Sequence, residues 1–224
     1  MTAWTADRLG DADGPLVAVF IHGGFWRARY GAEQIAELAG ACAADAPRPW
    51  VWNIEYPRVG MPQGGWPGTA EAVRDAVGAA VAAAAGRPVV LVGHSAGGHL
   101  ALWAAREHPV AAAVSLAGVC DLRAAVSLSN GAVRDFAGGD PDDAFYAAAS
   151  PAERLPLGVP VLLIHGDADE NVPIAQSRSF AAAARAAGDD CVLRELRGAE
   201  HFEVVDPAGR AWPILRERLV ALAG

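Results

Sequence analysis

The sequence predicts one α/β domain: an open, mostly parallel sheet of about six strands with helices on both faces. Three observations carry this. Short apolar runs recur along the chain, unbroken rather than alternating, as in strands buried on both faces. Alanine-rich stretches of helical length stand between them, so strand and helix alternate as in a βαβ series, whose right-handed crossovers put helices on both sides. With 224 residues, 53% apolar and 20% charged, the chain is long enough for one sizeable core and too apolar for disorder.

Strands are expected at residues 16–21, 51–54, 89–92, 111–116 and 159–164, with a weaker one at Cys191–Leu196. Helices are expected at 31–45 before the second strand, 69–85 before the third and 96–108 after it. Two more are expected at 174–187 after the fifth strand and at 207–223 at the end. Residues 119–158 carry no strand signal. Gly131, Gly138, Gly139, Pro141 and Pro151 break them into short helices and loops. In an open sheet such an excursion sits over the carboxyl ends of the strands, where ligands bind, and it reads as a small cap. There is no internal repeat, and no composition shift marks a second domain in residues 1–224.

Composition excludes several classes. Eighteen Lys and Arg against 26 Asp and Glu give a formal charge of −8, opposite to the basic footprint that nucleic-acid binding needs. Cys42, Cys120 and Cys191 are odd in number and form no CxxC pair. They read as free thiols of a reducing compartment, not as a disulfide framework or a zinc site. The first 14 residues carry Asp7, Asp11 and Asp13 without the apolar core of an export signal, and no run is long enough to span a bilayer. A soluble cytoplasmic protein with no membrane partner is expected. Without GxGxxG, Walker or HExxH motifs, no cofactor and no metal are implied.

The strongest chemical signal is the G-x-S-x-G string from Gly93 to Gly97, placed directly after a strand and directly before a helix. A tight strand-to-helix turn forces Ser95 into a strained conformation and lifts its hydroxyl above the sheet at a helix N-terminus, where developing negative charge is stabilised. Flanking glycines remove the β-carbon clashes of such a turn. Acyl transfer also needs two N–H donors aimed at the oxyanion. One is Ala96, after the nucleophile. The other is expected from His22-Gly23-Gly24-Phe25-Trp26 at the end of the first core strand, with Gly24 the first choice and Phe25 the next.

A serine nucleophile needs a base and an acid that orients it. Of six histidines only His201 lies past the last strand signal, and the order Ser…Asp…His selects it. The acid should follow the penultimate strand, where residues 165–173 offer Asp167 and Asp169. Asp167 sits close to the strand end and suits a turn-stabilising role. Asp169, further along, can reach a histidine loop and is the expected acid. Asp121 is a weaker candidate.

The chain resembles a compact α/β-hydrolase. HGGFW (22–26), GHSAGGHLALW (93–103), HGDADENVP (165–173) and GAEHF (198–202) are similar to the esterase/lipase-like branch. The HGG-aromatic-Trp loop resembles that of kynurenine formamidases (arylformamidases) and of related bacterial feruloyl or carbohydrate esterases. The resemblance implies Ser95 as nucleophile, Asp169 as acid, His201 as base, and an oxyanion hole from Gly23, Gly24, Phe25 and Ala96. Only 15 residues precede the first core strand, so the two opening antiparallel strands of the full fold are expected to be shortened or absent.

Among seven tryptophans, Trp4, Trp50, Trp52 and Trp103 fall at core or terminal positions. Trp26 after the oxyanion loop and Trp66 in a glycine-rich loop are expected near the crevice. With Phe202, and with Phe25, Phe136 and Tyr146, they would form an apolar pocket for an aromatic group. The expected partner is a small-molecule ester or activated amide, an arylformamide such as N-formylkynurenine being the sharpest form. Carbohydrate or feruloyl esters are the alternative, although a secreted enzyme of that type should carry an export signal. A non-catalytic binding protein would need a damaged triad, and a peptidase of this fold an extra gating domain.

Overall fold

In the computed structural model the described residues are 3–128 and 131–224; Met1, Thr2 and positions 129–130 of the expected cap lie outside them. Seven strands form one sheet in the order β1-β3-β2-β4-β5-β6-β7. They are β1 Thr5–Leu9, β2 Val17–Ile21, β3 Trp50–Glu55, β4 Val89–His94, β5 Ala112–Leu116, β6 Val161–Gly166 and β7 Cys191–Leu196. All pairs from β3 to β7 are parallel, and β1 runs antiparallel against β3.

The sheet therefore has seven strands, not about six, and one antiparallel opening strand is present. Its sequence, TADRL, is largely exposed. An edge strand has one neighbour and little to bury, so it needs no apolar run. Backbone pairing with β3 holds it, together with Arg8 over the Trp52 ring at 4.3 Å.

Strand periodicity splits the core into two layers. Val17, Val19 and Ile21 of β2 face a cluster with Val73, Val77, Leu100 and Phe180. These come from α2 (Gly68–Ala84), α3 (Ala96–Ala104) and α7 (Ala175–Ala186). Ala18 and Phe20 face the opposite cluster with Leu38, Leu215 and Leu219, from α1 (Ala36–Ala44) and α8 (Ala211–Leu222). Cys42, Cys120 and Cys191 are buried and unbridged, and burial pushes the Cys120 thiol up to about 12.

Between β5 and β6 the chain forms α4 (Leu122–Ala125), α5 (Ala132–Ala137), α6 (Asp143–Ala149) and a 3₁₀ turn at Pro151–Arg154. Asp121 caps α4 and Asp142 caps α6 through their carboxylates. The α5 segment is tied to the sheet edge at two points: Arg27 pairs with Asp135 at 2.6 Å, and the Trp66 N–H donates to Phe136 O at 2.7 Å. Among the described residues no helix is long and apolar enough to cross a membrane, and no group of three or more His, Cys, Asp or Glu is placed to hold a metal ion.

Candidate active site

The turn from β4 into α3 holds Ser95 at φ 55°, ψ −119°, a region that costs a non-glycine residue roughly 1–3 kcal/mol. The surroundings leave no alternative. The Ser95 N–H donates to Leu116 O at 2.9 Å, and its carbonyl accepts from His99 N and Val119 N, both at 3.2 Å. A β-carbon on Gly93 would lie 2.1 Å from Gly97 O, so only glycine lets strand and helix approach this closely.

The loop after β2 packs onto this turn. A β-carbon on Gly23 would come within 3.0 Å of both His94 O and the Ser95 β-carbon. Gly24 has φ 101°, and Phe25 and Trp26 both have φ 57°, three left-handed residues in succession. The loop closes through Arg27 N to Gly24 O at 3.0 Å and Val59 N to Trp26 O at 2.7 Å.

A polar buttress that sequence reasoning missed supports the loop from beneath. His22 donates through Nδ1 to Gly23 O at 2.8 Å, and its Nε2 lies 3.0 Å from Glu55 Oε1, which Arg58 also contacts. The Tyr56 hydroxyl donates to His22 O at 2.7 Å, with the two rings stacked at 4.2 Å. Burial pushes the Glu55 carboxyl up, but His22, the Ala32 N–H and Arg58 outweigh it and hold it below the usual range. The available signal was a glutamate ending an apolar strand with an arginine three residues later.

The loops after β6 and β7 meet through Asp169 and His201. His201 Nδ1 donates to Asp169 Oδ2 at 2.6 Å, while Asp169 Oδ1 accepts from Asn171 N at 2.9 Å and Val172 N at 2.8 Å. His165 Nε2 lies 3.2 Å from the same Oδ2. Burial raises the Asp169 carboxyl, yet the hydrogen bonds from His165, His201 and Val172 prevail and hold it well below the usual carboxylate range. Asp167 accepts from Gly198 N at 2.5 Å and pins the turn that carries His201. Asp121 caps α4 and takes no part in this cluster.

His94, inside the elbow, bridges to the same loop. Its Nε2 lies 3.2 Å from His201 O, and the two rings are 4.7 Å apart. A carbonyl only accepts, so Nε2 carries the proton. Burial, then the neighbouring His201, lowers its pKa to about 3. The ring beside His201 therefore stays neutral near pH 7.

Ser95 and His201 share one small pocket of about 40 Å³ with Gly24, Phe25, Tyr30 and Phe202; His94, Gln34 and Asn171 complete it. Ala96, buried, opens α3 beside it. Phe202 stands 57% exposed at the rim, with its ring 5.1 Å from that of His201. Four expected pocket residues lie elsewhere. Trp26 is 1% exposed and stacks on Phe136 at 4.8 Å. The left-handed turn at Phe25 and Trp26 sends one side chain to the pocket and the next into the core. Trp66 lines a separate cleft beside Trp4 and α2, edge-on to Trp103 at 5.6 Å. Phe136 and Tyr146 are buried in the main core cluster, on the same side of the sheet as α2 and α3. Tyr30 and Asn171 were missed because loop residues carry no periodic signal, and Gln34 because it sits on a 3₁₀ turn, Ala32–Ile35, inside the expected helix 31–45.

Solved structures share this architecture. The Thermogutta terrifontis esterase Est2 with propionate bound aligns at TM-score 0.73 and 24% identity, covering 96% of this chain and 87% of that one. Carboxyl esterase 2 of the fungus Tuber melanosporum aligns at 0.73 and 18%, over 100% and 86%. The HSL homologue EstE7 from a metagenome library aligns at 0.78 and 20%, over 97% and 81%. No curated protein matches the sequence, and the arylformamidase resemblance is not shown by these matches. Residues 71–212, well over half of the chain, match the prolyl oligopeptidase family, Peptidase_S9. With an α/β-hydrolase sheet and that match spanning the elbow, Asp169 and His201, the chain belongs to the prolyl oligopeptidase family.

Proposed function

We propose that the protein is a serine hydrolase that cleaves small esters or activated amides carrying a short acyl group. One observation carries the reading: an elbow serine and the His201 that Asp169 holds line one pocket of about 40 Å³. In this reading the Ser95 oxygen attacks the acyl carbon as His201 Nε2 takes its proton. The oxyanion accepts from the N–H groups of Ala96 and of Gly24 or Phe25. Collapse passes the proton from His201 to the leaving alcohol or amine and leaves an acyl-enzyme, which water then hydrolyses by the same route. Asp169 fixes the Nδ1–H tautomer and stabilises the imidazolium.

Pocket size supports a small acyl group. A pocket of about 40 Å³ suits a formyl or acetyl group better than a long chain. Phe25, Tyr30 and Phe202 at the rim suit an aromatic leaving group, which keeps N-formylkynurenine as the sharpest substrate and carboxylesterase activity as the broader one. Propionate and butyrate bound in the Thermogutta terrifontis esterase structures agree with short chains. The family match favours a second reading, cleavage of short peptides.

Purified enzyme should be assayed on p-nitrophenyl acetate, p-nitrophenyl octanoate, N-formylkynurenine, methyl ferulate and a proline p-nitroanilide. Acetate well above octanoate, with turnover of the formamide, is the expected pattern. Octanoate above acetate would exclude the short-acyl reading, and turnover of the anilide alone would favour the peptide reading. A fluorophosphonate should leave its adduct on Ser95 and nowhere else.

A further inference from the structure

We infer that His165 and Ser177 are positioning residues that set the basicity of the Asp169–His201 pair, extending it into a chain of four side chains behind Ser95. The inference rests on the serine-hydrolase reading above.

The proton positions follow from geometry. His165 is fully buried, with Nε2 2.8 Å from Val172 O and 3.2 Å from Asp169 Oδ2. A carbonyl oxygen cannot donate, so Nε2 bears the hydrogen and donates it to Val172 O, with the Asp169 carboxylate oxygen beside the same N–H at 3.2 Å. In that tautomer Nδ1 holds a lone pair. It lies 2.7 Å from Ser177 Oγ, so the serine hydroxyl donates. On the other side Asp169 Oδ2 accepts from His201 Nδ1 at 2.6 Å. The chain runs from Ser177 Oγ–H to His165 Nδ1, from the His165 Nε2–H to Val172 O with Asp169 Oδ2 in contact at 3.2 Å, and from His201 Nδ1–H to that same carboxylate oxygen.

Two ring N–H groups thus lie beside one carboxylate oxygen, that of His201 bonded to it and that of His165 in contact at 3.2 Å. Each donor withdraws charge from Asp169 and weakens its hold on the other's proton. His165 therefore moderates Asp169: the carboxylate stays ionised and correctly turned, yet the His201 imidazolium can still release its proton to the leaving group. Ser177, on α7, keeps His165 in the tautomer that donates. The charged and titratable groups around the chain are few. His201 meets Asp169 and the His94 ring, and His165 meets Asp169 and Ser177. Glu195, its register partner on β7, is itself paired with Arg178, and Cys120 lies behind Ser177.

The test is the acid limb of the kcat/KM profile on p-nitrophenyl acetate, which reports ionisation of His201 in the free enzyme. His165→Leu removes one of the two ring donors, so Asp169 binds the His201 proton more tightly. The acid limb should move up by about one pH unit, and kcat should fall on the order of tenfold or more as the carboxylate loses its second tether. Ser177→Ala should move the limb the same way by a few tenths of a unit. His165→Gln, whose amide N–H can replace Nε2–H, should return the limb toward wild type. A residue with a packing role alone would change melting temperature and leave the limb in place. An unmoved limb in folded His165→Leu overturns the inference, and if that variant does not fold, an unmoved limb in Ser177→Ala overturns it instead. Ser95→Ala is measured in parallel: if it retains turnover, the serine-hydrolase reading fails whatever the limb does.

Discussion

Gly97 and Ile21 meet backbone to backbone: a β-carbon on Gly97 would lie 2.0 Å from the Ile21 carbonyl oxygen and 2.3 Å from that of His22. The first turn of α3 thus rides on the end of β2, where the loop of residues 22–26 begins. That contact sets the separation between Ser95 and the loop that faces it. Gly97→Ala must push strand and helix apart. It should cost about 3 kcal/mol or more, at the upper end of overpacking effects, read as a lower urea midpoint. The folded fraction should also turn over more slowly, because the loop donors no longer meet the oxyanion. A variant with wild-type midpoint and rate would show that the contact is relieved elsewhere.

Asp169 and Asp167 should separate chemistry from structure. Asp169→Asn cannot accept the His201 Nδ1–H in the same way and should lower kcat on the order of 10³–10⁴-fold through the wrong imidazole tautomer. Asp167→Asn loses charge from one turn hydrogen bond and should cost about 1 kcal/mol of stability with kcat near wild type. The reverse pattern in steady-state kinetics would exchange the two roles.

Asp169 also makes stability depend on pH. Its folded carboxyl titrates below the unfolded value of about 3.9. Its contribution is therefore complete above that pH and is lost as pH falls through the folded value. Urea midpoints should drop on going from about pH 6 to about pH 3, and Asp169→Asn, which has no carboxyl to protonate there, should drop less. Parallel curves for the two proteins would assign the acid sensitivity to other carboxylates.

Trp26 and Phe202 should divide stability from binding. Trp26 lies under the loop against Phe136 and His99, so Trp26→Ala should cost about 3–5 kcal/mol by cavity formation. Phe202 is exposed beside His201, so Phe202→Ala should leave the melting temperature within a degree or two of wild type and raise KM for aryl esters. If Trp26→Ala keeps its melting temperature and alters acyl preference, Trp26 belongs to the pocket after all.

How much of this was legible varies with how many neighbours a residue has. Every strand flanked on both sides announces itself by an unbroken apolar run, and even the weakly apolar Cys191–Leu196 was bounded as it stands. Thr5–Leu9 did not, since its only partner reads backbone. The elbow, Asp169 and His201 were legible because chemistry requires those residue types in that order. Their second neighbours were not. His165 looked like a strand-ending histidine and His22 like part of a glycine turn, because a hydrogen-bonding partner 12 or 33 residues away leaves no trace in local spacing. Trp26 was misplaced for a related reason. Adjacent residues in a left-handed turn diverge, so proximity to the loop in sequence did not mean proximity to the pocket.

The two ties that fasten α5 have a consequence for how substrate arrives. Arg27 directly follows the loop of residues 22–26 and pairs with Asp135, and Trp66 N–H holds Phe136 O. A segment tied to that loop at two points is expected to move with it, and none of its described residues lines the pocket that Ser95 and His201 share. On this arrangement no flap from this segment has to open before substrate enters, whether from dissolved ester or from the surface of an oil droplet. Turnover should therefore saturate smoothly with monomeric substrate and show no jump at the concentration where a longer ester begins to form micelles.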